Sequence, residues 1–214
     1  MTTGSAARGR GRRRFLTRAA VVAAGRRVAE AEGIGGLTIR RVAAELGATP
    51  MALYRHVRDK RELVLALLDD VAAGLPAPPE EGTPRERLVA MFTAIDEYLS
   101  RHLWVVEILR EGELFAPRAG VVFPWALDRF GELGLDDARA TDAYTALWWF
   151  VLGHLSYLPS VTPERRASRE ELMTVAAERA AADPARILAA MRGFDHRAAF
   201  RSGLTALVDA LARG

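Results

Sequence analysis

The chain has 214 residues, half of them hydrophobic, with no cysteine and a formal net charge of +3, enough for one or two domains with a sizeable core. The missing cysteine excludes a disulfide framework, a thiolate nucleophile and a cysteine-ligated metal, and suits a reducing, cytoplasmic setting. The arginine-rich start lacks the apolar segment of a secretory signal, and the longest apolar run, Leu147 to Leu158, is broken by Gly153, His154 and Ser156 and falls short of the ~20 residues a bilayer span needs.

Residues 1–14 are Gly, Ala, Ser and Arg with little apolar content, and form a flexible basic arm carrying Arg8, Arg10, Arg12, Arg13 and Arg14. Thr17 caps a helix reaching Glu32, with Val21, Ala24 and Val28 facing inward, and residues 33–36 turn the chain. Thr38 caps a short helix to about Leu46, with Val42, Ala43 and Leu46 on its buried side, and Gly47 ends it. Thr49 caps the next helix and Pro50 takes its first position, where a missing N–H costs nothing. Met51, Leu53, Tyr54 and Val57 anchor that helix; Asp59 caps a third, with Glu62 closing a capping box. A helix, a tight turn with glycine and a short second helix make a helix-turn-helix pattern.

The third helix continues through Leu63, Val64, Leu67, Leu68 and Val71. The proline-rich stretch Leu75 to Pro84 is the clearest domain boundary. Thr83, Pro84 and Glu86 start an amphipathic helix to about Arg101, with Leu88, Met91, Phe92, Ile95 and Leu99 apolar. A short helix follows over 103–115 and another begins around Pro124. Asp136 caps a helix to Leu158 whose apolar residues wrap nearly all the way round, so both sides are expected to be covered, one by a second subunit. Ser168 and Glu171 box a helix to about Ala182, Pro184 opens a short one, and Asp195 caps the last, striped by Phe200, Leu204, Leu207 and Leu211. No segment alternates like a strand. The expected fold is all-α: the arm 1–14, a three-helix head over 15–75 and a larger helical body over 76–214.

Charge is unevenly placed. Residues 1–62 hold 14 basic and 5 acidic side chains, and residues 63–214 hold 16 and 22. A basic end joined to an acidic remainder is the electrostatic footprint of a nucleic-acid binder.

Leu37, Thr38, Val42, Ala43, Gly47, Thr49, Leu53, Tyr54, His56, Val57, Lys60 and Leu63, preceded by Val21, Ala24, Val28, Glu32 and Gly33, resemble the signature of the TetR (tetracycline-repressor-like) family of transcriptional regulators. Gly25 and Arg26 depart from that pattern. The tail from Phe194 to Leu211 is similar to the end of a tetracycline-repressor-type C-terminal domain. The resemblance implies a homodimeric repressor that a small-molecule effector releases from a palindromic double-stranded DNA operator. It also implies that Arg40 reads bases and that Tyr54, His56 and Lys60 contact phosphates, with Thr38 and Thr49 as caps whose hydroxyls also reach phosphate. Pro50, Met51 and Ala52, at the exposed start of the recognition helix, offer only apolar contact, and Arg55 is its polar candidate.

The body holds all four tryptophans. His102, Trp104, Glu107, Trp125, Trp148, Phe150 and His154 are candidates to line a pocket for an apolar or aromatic effector; the alternative for each is ordinary core or surface. Trp149, Leu152, Phe200, Leu204, Leu207 and Leu211 are the candidate dimer interface. No cofactor, metal or membrane contact is expected. No G-x-S-x-G, G-x-G-x-x-G, P-loop or metal-spaced His pair occurs, and the histidines are scattered at 56, 102, 154 and 196, so an enzyme is not expected. The rival readings are a helical small-molecule binder without DNA activity, a helical enzyme, and an activator of the same fold.

Overall fold

The computed structural model describes residues 16–111, 116–160 and 194–213 and isolated positions between 168 and 189. The basic arm, the helix assigned to Ser168 through Ala182 with its capping box and the one opened by Pro184 therefore lie outside, or almost wholly outside, the described residues. No strand occurs among the described residues. The chain divides into two compact units, Met1–Leu67 and Leu68–Gly214.

In the first unit, Thr17 accepts a hydrogen bond from Ala20 N and starts α1, Arg18–Gly36. Its regular turns end at Glu32, as expected: Gly33, with φ 71° and ψ 179°, is non-helical and breaks the helix before a short last segment to Gly36. Thr38 caps α2, Ile39–Glu45, by accepting from Arg41 N at 3.0 Å. Gly47 follows with φ 61°, the conformation that turns the chain between helices and that a Cβ disfavours. Thr49 accepts from Ala52 N and starts α3, Pro50–Leu53. α3 is only one turn; residues 54–56 continue as a hydrogen-bonded turn, His56 N donating to Leu53 O at 2.8 Å. Asp59 Oδ1 accepts from Glu62 N at the head of α4, Lys60–Ala72. The reciprocal bond reaches Arg58 N rather than Asp59 N, at 2.8 Å.

Val21, Ala24, Val28, Leu37, Val42, Ala43, Leu53, Val57, Leu63 and Leu67 make this unit's core. Gly25 fits where the TetR pattern carries a larger residue, because a Cβ there would stand 3.3 Å from Leu63 Cδ1 and 3.4 Å from Leu67 Cδ1. The glycine lets α4 approach α1 closely. Met51 and Tyr54 do not anchor α3: they are 73% and 50% exposed, while Leu53 and Val57 are fully buried. Four residues make barely one helical turn, so a single side takes up the contacts and the other faces water.

The second unit is a helical bundle. Thr83 and Glu86 form a complete capping box for α5, Pro84–Leu99, whose Leu88, Met91, Phe92, Ile95 and Leu99 are buried. Then come α6, Leu103–Glu111, a 3-10 turn over Pro117–Val121, and α7, Val122–Glu132, which starts before Pro124. Asp136 caps α8, Asp137–Tyr157, and Asp195 caps α9, His196–Arg213. α8 packs on α5, α6, α7 and α9, and α5 packs on α6, α7 and α9. A polar chain joins α5, α8 and α9. His154 Nδ1 lies 2.7 Å from Asp96 Oδ1, and His154 Nε2 lies 3.1 Å from His196 Nδ1. Phe200 stacks on the His154 ring at 4.4 Å. Burial lifts the Asp96 carboxyl above its ordinary value, although the hydrogen bond from His154 opposes this.

Two outcomes follow. Gly47→Ala meets no neighbour, since nothing lies within 4 Å of its Cβ position, so its cost is conformational, about 1–2 kcal/mol; urea unfolding should show a lower midpoint with an unchanged slope. For Asp96, a folded-state value above the unfolded one means that protonation favours the fold. That contribution is complete below the ordinary carboxyl value and is lost as pH rises through the raised one. Asp96→Asn removes this dependence. Its melting temperature should therefore gain on that of the unsubstituted protein as pH rises from the ordinary carboxyl range through the raised one; a constant difference across that rise would contradict the burial account.

Candidate functional site

The first unit sorts its side chains by face. Ile39, Val42, Ala43, Leu53 and Val57 point inward, while Thr38, Arg40, Thr49, Met51, Tyr54, Arg55 and Lys60 are exposed, and Pro50, Ala52 and His56 are half-buried. The cations also divide. Arg41 is held by Glu32 at 2.7 Å and Glu45 at 3.2 Å, and Arg27 by Glu45 at 3.1 Å. Arg18 and Arg58 both reach Glu62, and Arg26 reaches Glu30. Hydrogen bonds from Arg27 and Arg41 hold the Glu45 carboxyl below its ordinary value, and those to Glu32 and Glu45 raise Arg41. By contrast, Arg40, Tyr54, Arg55 and His56 make no side-chain hydrogen bond or ion pair among the described residues. Lys60 Nζ donates to Ile34 O, at a long 3.4 Å. Thr38 and Thr49 use only an oxygen lone pair as caps, so each hydroxyl proton is left to donate elsewhere. The result is a surface of hydrogen-bond donors and cations on a backbone fixed by caps and ion pairs, suited to a polyanion.

The second unit contains two cavities of different character. One, of about 310 Å³, is apolar and lined by Leu68, Val71, Leu75 and Ala72 at the end of α4 and just beyond it, Ile95 and Leu99 of α5, Val105 and Leu109 of α6, Val122 of α7, and Tyr144 and Trp148 of α8. The Tyr144 ring is fixed edge-on by Phe123 at 4.9 Å and Phe92 at 6.0 Å. Burial raises its hydroxyl above the ordinary value, and that hydroxyl has no hydrogen-bond partner among the described residues. The other cavity, of about 380 Å³, is polar and lies between α5, α8 and α9, with Asp96, Arg101, His154, Arg197 and Arg201 among its walls.

The residues expected to share one pocket are dispersed. Trp148 lines the apolar cavity and His154 the polar one. His102 and Trp104 are buried, Trp104 with no partner for its Nε1 among the described residues. Glu107 points to solvent, since α6 turns Val105, Val106 and Ile108 inward. Trp125 sits under the Arg129 guanidinium at 5.8 Å, outside both cavities. Phe150 stacks on Phe200 at 5.3 Å. Sequence reasoning missed Asp96, Arg101, Arg197 and Arg201. Asp96 carried a signal: it is a carboxylate in helical register with Phe92 and Leu99 on a buried stripe.

The expected dimer face also needs correction. Phe200 is buried and Leu204 is fully buried within the single chain, because α9 turns that stripe onto α5 and α8. Neither has surface left for a partner. Trp149 is 70% exposed, and Leu152, Leu207 and Leu211 are half-buried. Among the described residues no helix is long and apolar enough to cross a membrane.

Residues 21–67 match the family described as bacterial regulatory proteins, tetR family, and residues 75–213 match the tetracyclin repressor-like C-terminal domain. The chain is similar to the HTH-type transcriptional repressor DrrR1 of Streptomyces coeruleorubidus, with 35% identity over 146 residues that make up 67% of this chain and 54% of that protein; it spans about half that relative's length. Among solved structures, the Streptomyces coelicolor TetR family protein ActR in complex with actinorhodin shares the fold, with a TM-score of 0.77 at 23% identity over 93% of this chain and 98% of that one. BioQ with its natural double-stranded DNA operator does so with a TM-score of 0.65 at 24% identity, over 93% and 99%. Two family matches that together run from residue 21 to residue 213 make this chain a member of the tetR family of bacterial regulatory proteins.

Proposed function

We propose that the chain is a dimeric transcriptional repressor that binds a palindromic DNA operator through the residue 15–75 head and releases it when a small apolar molecule enters the 76–214 body. The observation that carries the reading is the set of donors without a partner among the described residues, the exposed Arg40, Tyr54 and Arg55 and the half-buried His56, on a helix-turn-helix whose other side is buried. The operator bound by BioQ supports it by family analogy. α3 enters the major groove. Arg40 donates two hydrogen bonds to a guanine edge, and Arg55 is the second polar reader. Pro50, Met51 and Ala52 meet thymine methyls. Tyr54, His56 and Lys60, together with the hydroxyls of Thr38 and Thr49, hold phosphates.

Two such heads sit one DNA turn apart, ~34–36 Å, in a symmetric dimer. The exposed Trp149, with Leu152, Leu207 and Leu211, forms the subunit contact. The effector occupies the cavity walled by Trp148 and Tyr144, with the free Tyr144 hydroxyl orienting it. It releases the operator through its higher affinity for the state whose head spacing does not fit. The ActR–actinorhodin complex supports small-molecule binding in this fold.

In a gel-shift or anisotropy titration, Arg40→Ala should lose about 1–3 kcal/mol, mostly against the preferred site. Lys60→Ala and Tyr54→Phe should weaken binding to every sequence, and Lys60→Ala should also lower the salt slope by about one. Affinities unchanged in all three variants would sink the docking. Trp149→Glu should keep its helix content and halve the mass seen by light scattering, whereas Leu204→Glu should unfold the subunit, because it places a charge in the core. A Trp149→Glu protein of dimer mass would move the interface elsewhere.

A further inference from the structure

The polar cavity plays no part in the proposed function, yet its walls gather arginines without ion-pair partners, whereas Arg110 and Arg139, also unpaired among the described residues, line neither cavity. Elsewhere in the second unit, Arg85 meets Asp209 at 3.0 Å, Arg118 meets Asp69 at 3.2 Å and Arg129 meets Glu132. Around the polar cavity, Arg197 and Arg201 stand one helical turn apart on α9, and neither guanidinium makes an ion pair or hydrogen bond among the described residues, although the Asp195 carboxylate feels the charge of Arg201 at longer range. Like charges at that spacing repel unless an anion lies between them. Arg101, two residues past the end of α5, donates among the described residues only to the carbonyl of Glu97, at 3.3 Å. Of the two carboxylates on the walls, Asp96 is turned to His154 at 2.7 Å, leaving Glu97 alone against three guanidiniums. The volume, about 380 Å³, is in the range of small-ligand sites.

We infer that the cleft between α5 and the start of α9 is a second ligand site, separate from the apolar cavity, for a small molecule bearing a carboxylate or phosphate group. Guanidinium forks match both oxyanions, in paired hydrogen bonds. His154, fixed by Asp96, forms the inner wall. Because the α9 arginines come from one helix and Arg101 from the turn just past α5, a bound oxyanion ties the two segments together.

The full-length protein is titrated by calorimetry with citrate and, separately, pyrophosphate, at constant ionic strength so that screening stays fixed. Saturable binding of at least one is expected; the one that binds shows whether the natural group is a carboxylate or a phosphate, and either supports the site. Arg197→Gln/Arg201→Gln should weaken it by about tenfold or more, as should Arg101→Gln in the turn past α5. Arg110→Gln/Arg139→Gln, an equal charge change at exposed positions outside the cavity, should leave it within about twofold. Trp148→Ala, which alters the apolar cavity, should leave it unchanged, so this site and the effector reading fail independently. The inference is overturned if neither anion binds, if the Arg110/Arg139 control loses as much as the cavity variants, or if affinity survives in both cavity variants.

Discussion

A helix of four residues has no stability of its own, since isolated helices several times longer are marginal in water. α3 exists because Leu53 and Val57 are buried beneath it, Thr49 caps its start and Gly47 turns the chain into it. Everything the head presents outward depends on that anchoring. Leu53 and Val57 lie four residues apart and draw one side of the segment into the core of α1, α2 and α4. Met51, Tyr54 and Arg55 are left on the other side as a consequence. The same constraint explains Gly25: α4 lies close enough to α1 that Leu63 and Leu67 need the space a Cβ would take.

In the second unit, α5 is a wall shared by two chemistries. Ile95 and Leu99 line the apolar cavity, while Asp96, Glu97 and Arg101 line the polar one. Successive helical residues are rotated by about 100°, so one helix separates an apolar chamber from a charged one with no extra structure. α8 repeats the division along its length, with Tyr144 and Trp148 toward one cavity and His154 toward the other. The Asp96–His154–His196 chain clasps α5, α8 and α9 together on the polar side. A buried carboxylate is costly unless it is hydrogen-bonded, and His154 is the group that makes its burial tolerable.

Helix starts were legible in the sequence. Thr17, Thr38, Thr49, Asp59, Thr83, Asp136 and Asp195 each accept the backbone hydrogen bond expected of a cap, because capping is a local interaction needing only a side-chain oxygen within three residues. Periodicity was legible too, as the burial of Leu88, Phe92 and Ile95 illustrates. What lay against each stripe was not. Leu204 and Phe200 repeat at helical spacing whether the covering surface is their own bundle or a second subunit, and burial in the single chain decides for the bundle. The pocket is not legible for the same reason: tryptophan content marks a large apolar volume, but only packing divides Trp104 in the core from Trp125 under Arg129 and Trp148 at the cavity.

Arginine is nearly the only basic residue in the head, and its sequence positions do not reveal which copies are engaged. Arg40 and Arg41 are neighbours, yet Arg41 bridges Glu32 and Glu45 while Arg40 has no partner among the described residues. The difference again follows from a rotation of about 100° per residue: Arg41 falls over α1, where Glu32 waits, and Arg40 falls toward water. Surface ion pairs of this kind add little stability individually. Their effect is selective. Glu32, Glu45 and Glu62 pair with Arg18, Arg27, Arg41 and Arg58. Arg40, Arg55 and Lys60 are left exposed with no carboxylate partner among the described residues, so the ion pairs decide which cations of the head stay open to solvent.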